Sequence, residues 1–246
     1  MDVVSGVDSL RPEHGPVFTV IGVFDGLHRG HQFLLDHLVR EAHARGARPS
    51  VITFDHHPDE VLTGTAPPLL LHPEERLERL ASAGVEVTVV QPFDEVVRHT
   101  TYEDFLGTIR RGSGLAGVLM TPDAAFGYQR QGTPEAVRAL GGRDGFDVVV
   151  VEPFTVDGTA VKSTDIRAAI ESGDLEHARR LLGRPVGLRG TARDGTVTFD
   201  WPMALPRAGV YRCRIDGRET SVAISGATVR IPDGIDDGPV RLEFTT

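Results

Sequence analysis

Two histidines three residues apart are the first candidates for chemistry in this chain. The stretch "VIGVFDGLHRGHQFLL" (20–35) contains His28 and His31, with Gly30 directly before the second histidine. Imidazole can donate hydrogen bonds to phosphoryl oxygens without carrying a fixed charge. This chemistry suits transfer of a nucleotidyl group, in which negative charge grows on phosphoryl oxygens. A metal site and a structural histidine pair are the alternatives.

A second group of candidate residues opens a later predicted helix. The stretch "KSTDIRAAI" (162–170) contains Ser163, Thr164 and Arg167, directly after Lys162, the only lysine of the chain. Hydroxyls, helix N-terminal N–H groups and an arginine together favour phosphate binding. The alternative is an ordinary N-cap, which needs no ligand. Arg167 is less expected in a first turn, because the helix dipole disfavours a cation there.

A strand-to-helix turn must position the two histidines. The run "VFTVIGVF" (17–24) predicts a buried strand, and "GHQFLLDHLVREAHARG" then changes to helical spacing. The start of such a helix offers unpaired N–H groups to an anion. Gly30 lets a ligand approach the backbone closely, and Gly22 and Gly26 add room.

Strands and helices alternate along most of the chain. Four further apolar runs predict strands: "RPSVITF", "VEVTVVQPF", "LAGVLMT" and "FDVVVVEPF". The alternation predicts an α/β fold with a Rossmann-like parallel sheet covered on both faces. Ligands of such sheets bind outside the carboxyl ends of the strands, and "FDGLHRGH" follows the first predicted strand.

The pattern changes after Gly183-Arg184-Pro185. Short alternating runs separated by Asp-Gly pairs predict β-hairpins. We therefore expect a flexible N-terminus (1–16), an α/β domain (17–185) and a small antiparallel β-barrel-like module (186–246). About 60 residues is near the lower size limit for an independent core, so we expect the module to depend on the first domain.

Composition narrows the function classes. Hydrophobic residues are 40% and charged residues 25%, which is ordinary for a globular protein. The net charge of −9 does not favour a nucleic-acid or anionic-membrane surface, and no apolar run approaches the length of a membrane span. The single Cys213 excludes an internal disulfide, and the first residues lack a secretory pattern. We expect a cytoplasmic protein that acts on small molecules, with no nucleic-acid or membrane partner; the oligomeric state stays open.

Four motifs, in order, resemble those of the bacterial bifunctional riboflavin kinase/FAD synthetases, in their FMN adenylyltransferase half. "IGVFDGLHRGHQFLL" is similar to that family's HxGH signature, and "TFDHHP" to its TFxPHP. "DAAFGYQRQGT" is similar to DFxFGxxRxG, and "KSTDIRAAIESGDLEHARRLLGRP" to the SSTxIR-to-LLGRP ending. The resemblance covers about residues 17–185.

The resemblance implies an enzyme that transfers AMP from ATP to FMN or a related flavin phosphate. The products would be FAD and pyrophosphate, and Mg²⁺ would bridge ATP oxygens without a dedicated side-chain cluster. The implied catalytic residues are His28, His31 and Arg167. The implied nucleotide-binding residues are Gly22, Phe24, Asp25, Gly30, Asp123, Ser163 and Thr164. The implied acceptor-binding residues are Phe54, His56, His57, Pro58, Phe126, Gly127 and Arg130.

The chain also departs from the family pattern. His56 replaces the usual proline of TFxPHP, Thr121-Pro122 replaces a Gly-x pair, and Lys162 replaces a hydroxyl residue. "TVTFDWPMA" (196–204) stands where the kinase half carries Thr-Ala-Asn, so we expect no riboflavin kinase activity. Two alternatives stay open: a nucleotidylyltransferase for another phosphorylated acceptor, and a regulatory pseudoenzyme that binds nucleotide or flavin.

Overall fold

The chain forms two compact units. The structure is a computed structural model that describes residues 1–245; Thr246, the last residue of the predicted β module, lies outside the described residues. The first unit comprises Met1–Phe24, His31–Pro67 and Leu77–Phe154. The second unit comprises Asp25–Gly30, Pro68–Arg76 and the chain from Thr155 onward.

A six-stranded parallel sheet forms the centre of the first unit. Its strand order is β1-β4-β3-β2-β5-β6, and every neighbouring pair is parallel. The strands are β1 (Asp2–Ser5), β2 (Val17–Ile21), β3 (Arg48–Phe54), β4 (Val87–Gln91), β5 (Leu115–Met120) and β6 (Asp147–Val150). The predicted Rossmann-like sheet is confirmed. The order reverses between β2 and β5, and the carboxyl ends of such strands are where open α/β sheets bind ligands.

Helices flank these strands in the chain, and several begin with a side-chain cap. The helices up to β6 are α1 (Arg29–Ala44), α2 (Pro58–Thr63), α3 (Pro73–Ser82), α4 (Glu95–His99), α5 (Tyr102–Gly112) and α6 (Pro134–Asp144). Asp94, Thr101 and Thr133 accept hydrogen bonds from backbone N–H groups in the first turns of α4, α5 and α6. On α1, Leu35, Leu38 and Ala42 form the buried stripe that the helical spacing predicts.

The first 16 residues differ from the expected flexible N-terminus. β1 pairs with β4 at the edge of the sheet, from Asp2 opposite Val87 to Ser5 opposite Val90. Val4, Val7 and Leu10 are buried in the core of the unit. A four-residue edge strand is too short to produce a periodic signal, so the sequence alone gave no indication of it.

A closed antiparallel barrel is the main part of the second unit, and it confirms the predicted β-barrel-like module. Its strand order is β10-β13-β12-β11-β14-β9. Its strands are β9 (Gly187–Arg193), β10 (Thr196–Thr198), β11 (Gly209–Ile215), β12 (Arg218–Ser225), β13 (Thr228–Arg230) and β14 (Gly238–Phe244). Before the barrel come the hairpin β7 (Thr155–Val156) and β8 (Thr159–Ala160) and the helices α7 (Ser163–Ser172) and α8 (Leu175–Leu182).

Asp-Gly pairs form two of the barrel's hairpin turns, as their sequence predicts. Asp194 and Gly195 join β9 to β10, and Asp216 and Gly217 join β11 to β12. All four residues have positive φ, between 48° and 83°. This is the backbone that two-residue hairpin loops require.

The division into compact units differs from the predicted domain boundary. The predicted boundary at 185/186 coincides with the approach to β9, whereas the second unit begins at Thr155 and includes α7 and α8. The boundary at 185/186 stays a prediction. Among residues 1–245, no helix combines the length and apolar character that a membrane crossing needs.

Candidate functional site

The turn between β2 and α1 has an unusual backbone. Residues Asp25–Leu27 form a short 3-10 turn in which Gly26 has φ of 80°. Phe24 and Leu27 also have positive φ, 54° and 38°. Non-glycine residues adopt such angles at a cost, and they are frequent at functional sites. His28 follows this turn directly, and α1 begins at the next residue.

In the second unit, a buried ion pair fixes Arg167. The Arg167 Nη2 atom donates to Oδ2 of Asp25 at 2.7 Å, and the Asp25 side chain is 3% exposed. Both Asp25 oxygens also accept from the backbone N–H of Leu70, at 2.9 and 3.0 Å. Arg167 Nε donates to the carbonyl of Pro68 at 2.8 Å. Hydrogen bonds on two of its nitrogens therefore orient the guanidinium plane of Arg167.

Lys162, and neither Ser163 nor Thr164, occupies the N-cap position of α7. The Lys162 side chain makes no capping hydrogen bond to the first turn of α7. The Ser163 hydroxyl instead donates to the carbonyl of Asp25 at 3.1 Å, and Thr164 is exposed. The N-cap interpretation of these hydroxyls is therefore wrong. The start of α7 keeps backbone donors and a partial positive charge that suit an anion.

His28 is a buried, neutral imidazole. The residue is 4% exposed. Burial, together with the charges of Arg184 and Arg167, lowers the pKa of His28 to about 4. The Arg184 Nη2 atom donates to the carbonyl of Gly26 at 2.7 Å. A Cβ atom on Gly30 would lie 3.2 Å from the His28 ring, so a side chain there would press on the imidazole.

We expect His28 to make the stability of the protein depend on pH between about 4 and 6.5. The unfolded chain binds a proton at its usual pKa of 6.5, and the folded chain does so only near 4. Lowering the pH through this window therefore favours unfolding, by about 3 kcal/mol in total. Urea unfolding at a series of pH values should show that His28→Gln removes this component. Parallel pH profiles for the two proteins would contradict the assignment.

In the first unit, His31 contacts Phe24. His31 is half-buried in the first turn of α1, and its ring centroid lies 5.0 Å from that of Phe24. Phe24 is buried, and a Cβ atom on Gly22 would lie 3.2 Å from its ring. Gly22 thus leaves space for Phe24, and Phe24 supports the imidazole of His31.

The first unit contains a cavity of about 660 Å³ where the carboxyl ends of its strands lie. This volume is within the usual range for small-molecule sites. Its wall is largely aromatic and aliphatic, from Ile21, Phe54, Phe93, Phe105 and Phe126. Its polar lining includes His57, Arg98, His99 and Arg130. The cavity therefore combines a broad apolar surface with cationic or ionisable groups.

Adjacent histidines take different positions at this cavity. His57 lines it, whereas His56 is not among the lining residues and lies 3.3 Å from the Asp55 carboxylate. The His57 Nδ1 atom accepts from the backbone N–H of Asp59 at 3.2 Å and so caps α2. His56 lies in the bend that follows β3, whereas His57 lies at the N-cap of α2, so the two side chains have different surroundings.

The structure brings six of the seven implied acceptor residues to the cavity wall: Phe54, His57, Pro58, Phe126, Gly127 and Arg130. Sequence reasoning missed Phe93, Arg98, His99 and Tyr128, which also line it. The sequence signal for two of them was the polar end of α4, where Arg98 and His99 lie. A helix of five residues is too short to show a periodic pattern. Asp123 lies outside the lining, exposed, with its carboxylate accepting from the Thr121 hydroxyl at 2.8 Å. The roles of these residues stay predictions.

Comparison with known proteins identifies the family. The family model described as FAD synthetase matches residues 10–165, more than half of the chain. The chain belongs to the FAD synthetase family. It is therefore a nucleotidyltransferase enzyme, and both the predicted resemblance and the predicted enzyme class are confirmed.

The matches between this FAD synthetase family member and its relatives cover most of the chain. The "Bifunctional riboflavin kinase/FMN adenylyltransferase" of Pseudomonas fluorescens is 31% identical, and the match covers 99% of this chain and 82% of the relative. The protein of the same name from Escherichia coli (strain K12) is 31% identical, with coverage of 88% and 74%. A solved structure titled "Macrolide-efflux Protein from Streptococcus pneumoniae" superposes with a TM-score of 0.82 at 24% identity, covering 99% and 90%, and supports the fold alone.

Arg184 lies beside the candidate site residues of this FAD synthetase family member, although sequence reasoning did not single it out. It follows the C-cap Gly183 of α8, in the "LLGRP" ending that carried part of the resemblance. Its bond to the Gly26 carbonyl and its charge beside His28 connect it to the residues around Asp25. The signal was the position of an arginine directly after a helix end, which by itself does not point to phosphate chemistry.

Proposed function

We propose that this chain transfers the adenylyl group of ATP to FMN, giving FAD and pyrophosphate. The observation that carries the proposal is the cavity of the first unit. Its aromatic wall suits a large flat ring system, and His57, Arg98 and Arg130 suit a phosphate monoester. The family membership and the names of the relatives support the same acceptor.

The proposed reaction is an in-line displacement at the α-phosphorus of ATP. An oxygen of the FMN phosphate attacks this phosphorus and forms a new P–O–P bond. The bond to the bridging oxygen of the β-phosphate breaks, and pyrophosphate leaves with the electron pair. A phosphate monoester has its second pKa near 6, so the nucleophile is largely dianionic at neutral pH and needs no general base. The protein's task is then to position the reactants and to stabilise the growing charge.

Residues of the second unit suit the nucleotide phosphates. His28 is neutral near pH 7 and would donate a hydrogen bond to a phosphoryl oxygen. Arg167, Ser163, Thr164 and the start of α7 would hold the β- and γ-phosphates and then the leaving pyrophosphate. We assign His31 to the ATP phosphates through its place in the HxGH motif.

Magnesium enters the proposal only with the nucleotide. Among the described residues, no group of three or more His, Cys, Asp and Glu side chains is arranged to hold a metal ion. The Asp25 carboxylate already accepts from Arg167 and Leu70, so it does not suit a cation. The residues around it donate hydrogen bonds and fit an anion. We therefore assign Mg²⁺ no protein ligand and derive no step through it; it would accompany ATP as a phosphate-bound counter-ion.

We also propose that the barrel has no riboflavin kinase activity. The segment 196–204 carries "TVTFDWPMA" where the resembling kinases have Thr-Ala-Asn, so the Thr/Asn pair that would hold metal and phosphate is missing. Riboflavin and ATP incubated with homogeneous protein should yield no FMN at any time, measured by chromatography with fluorescence detection. FMN formation that increases with the amount of protein would overturn this prediction.

The two adjacent histidines offer a matched test of the acceptor site. Asn is a good N-cap, so His57→Asn removes the imidazole from the cavity and keeps the cap of α2. We expect it to raise KM for FMN about tenfold or more, because a hydrogen bond to a charged group is lost. His56→Asn, the same change one residue away, should leave KM within about twofold. Equal effects of the two variants on KM would place the acceptor elsewhere.

The proposed function itself is tested by the products. Purified protein is incubated with Mg²⁺, one nucleoside triphosphate at a time, and FMN or another phosphorylated acceptor, and the products are resolved by mass. FAD from ATP and FMN is the expected result. Turnover of a different acceptor only would favour a nucleotidylyltransferase for another phosphorylated acceptor. Binding of ATP or FMN by calorimetry without any turnover would favour the regulatory pseudoenzyme.

A further inference from the structure

One segment of the second unit makes backbone hydrogen bonds on both of its edges. We call this segment, Pro68–Arg76, the strap. Within three consecutive residues, the backbone of the strap contacts the barrel on one edge and the phosphate-binding candidates on the other. Neither contact follows from the proposed function or from the sequence pattern.

The edge that faces the barrel is formed by Leu69. Its N–H donates to the carbonyl of Pro202 at 2.7 Å, and its carbonyl accepts from the N–H of Ala204 at 2.8 Å. Leu69 and Met203 thereby form a parallel β-bridge. This is the segment "TVTFDWPMA" that stands where the resembling kinases carry their active-site residues.

The opposite edge is formed by the residues on either side of Leu69. The carbonyl of Pro68 accepts from Arg167 Nε at 2.8 Å, and the N–H of Leu70 donates to both Asp25 oxygens. Pro68 and Leu70 thus bond on the edge opposite to that of Leu69, the alternation that backbone groups show around a β-bridge. The strap thus holds the two residues that orient each other in the buried ion pair.

A buried carboxylate ties the strap to the barrel a second time. The side chain of Glu75 is 5% exposed and lies 3.3 Å from Arg241 and 3.9 Å from Arg189, both on barrel strands. A buried carboxylate is costly unless it is paired, so these arginines fix the position of Glu75 and of the strap with it.

We propose that Glu75 is a positioning residue that holds the strap against the barrel. Through the strap, the barrel sets the orientation of Arg167 and thereby the affinity of the protein for pyrophosphate. The barrel would then retain a task in adenylyl transfer although its kinase residues are replaced. This inference rests on the proposed role of Arg167 in holding the β- and γ-phosphates. It assigns no contact between Glu75 and substrate.

The test is calorimetric binding of inorganic pyrophosphate with Mg²⁺ to the full chain. Glu75→Gln keeps the shape of the side chain and removes its charge, and the dissociation constant should rise about tenfold. The control is Glu74→Gln, the same change at the exposed neighbouring position, which should leave the constant within about twofold. FMN affinity, measured by flavin fluorescence, should not change in either variant.

A double-mutant cycle separates positioning from general destabilisation. If Glu75 acts through Arg167, Glu75→Gln should have less than about a twofold further effect on pyrophosphate binding in an Arg167→Gln background. Should Glu75→Gln not fold, Arg241→Gln tests the same link at a half-exposed partner, and Arg241→Lys should restore binding. A folded Glu75→Gln or Arg241→Gln protein with wild-type pyrophosphate affinity overturns the inference. This outcome is distinct from failure of the proposed function, which would appear as absence of FAD in the wild type.

Discussion

Replacing His28 or His31 with alanine should lower the turnover of adenylyl transfer about 100- to 1,000-fold. This is the usual loss when one preorganised donor to a developing phosphoryl charge is removed. For His28 the physical basis is visible: burial and two neighbouring arginines keep the imidazole neutral, and a neutral imidazole is a hydrogen-bond donor that needs no reorganisation. The affinity for ATP should fall less, because the oxygens of the reacting phosphoryl group carry less charge in the ground state than in the transition state.

The measurement is kcat for FAD formation under saturating ATP and FMN, with KM determined for each. His43→Ala is the matched control, because His43 lies on the same helix α1 with its side chain 58% exposed. It should keep kcat within about twofold. Near-native turnover in either His28→Ala or His31→Ala would show that the HxGH motif has another role.

Replacing Arg167 with alanine should weaken both folding and pyrophosphate binding. The change leaves Asp25 buried without its charged partner, and breaking a buried pair from one side costs about 3–5 kcal/mol. We expect the midpoint of urea unfolding to fall accordingly, and pyrophosphate affinity to fall by more than tenfold. Arg167→Lys should have a stability and a pyrophosphate affinity between those of the wild type and Arg167→Ala. It keeps the charge but loses the planar guanidinium that reaches both Asp25 and Pro68.

Arg179→Ala supplies the comparison for Arg167→Ala. Arg179 is about half exposed on α8 and pairs with Glu176 at 3.4 Å. Such a surface pair contributes less than about 1 kcal/mol, so the variant should resemble the wild type in stability and in pyrophosphate binding. If Arg167→Ala were as stable as Arg179→Ala, the buried pair would not have the structural role that its geometry indicates.

The sequence predicts much of the α/β architecture because its strands are strong local signals. "RPSVITF" coincides with β3, and "TYEDFLGTIRRG" contains α5 with its cap at Thr101. β2 ends at Ile21, earlier than the apolar run suggests, because the chain leaves the sheet at Gly22. The edge strand β1 was missed because its stabilisation comes from pairing with β4, in which Asp2 lies opposite Val87, far away in the sequence.

The site was predictable to a lesser degree. The motifs predict which residues take part in the chemistry, but they do not show which contacts hold those residues in place. Asp25 and Arg167 pair across 142 positions of sequence, and the strap that supports both has no motif of its own. Likewise, Arg98 and His99 line the cavity from α4, a five-residue helix that no periodic pattern in the sequence predicts. Such long-range contacts arise only when the elements pack.

The most direct test of adenylyl transfer follows the phosphorus atoms. The wild-type protein is incubated with FMN, Mg²⁺ and ATP carrying radiolabel in either the α- or the γ-phosphate, and flavins and pyrophosphate are separated by chromatography. The proposed function predicts that α-label appears in FAD and γ-label in pyrophosphate, in equal molar amounts. Absence of α-label from every flavin product, under conditions in which both substrates bind, would contradict it.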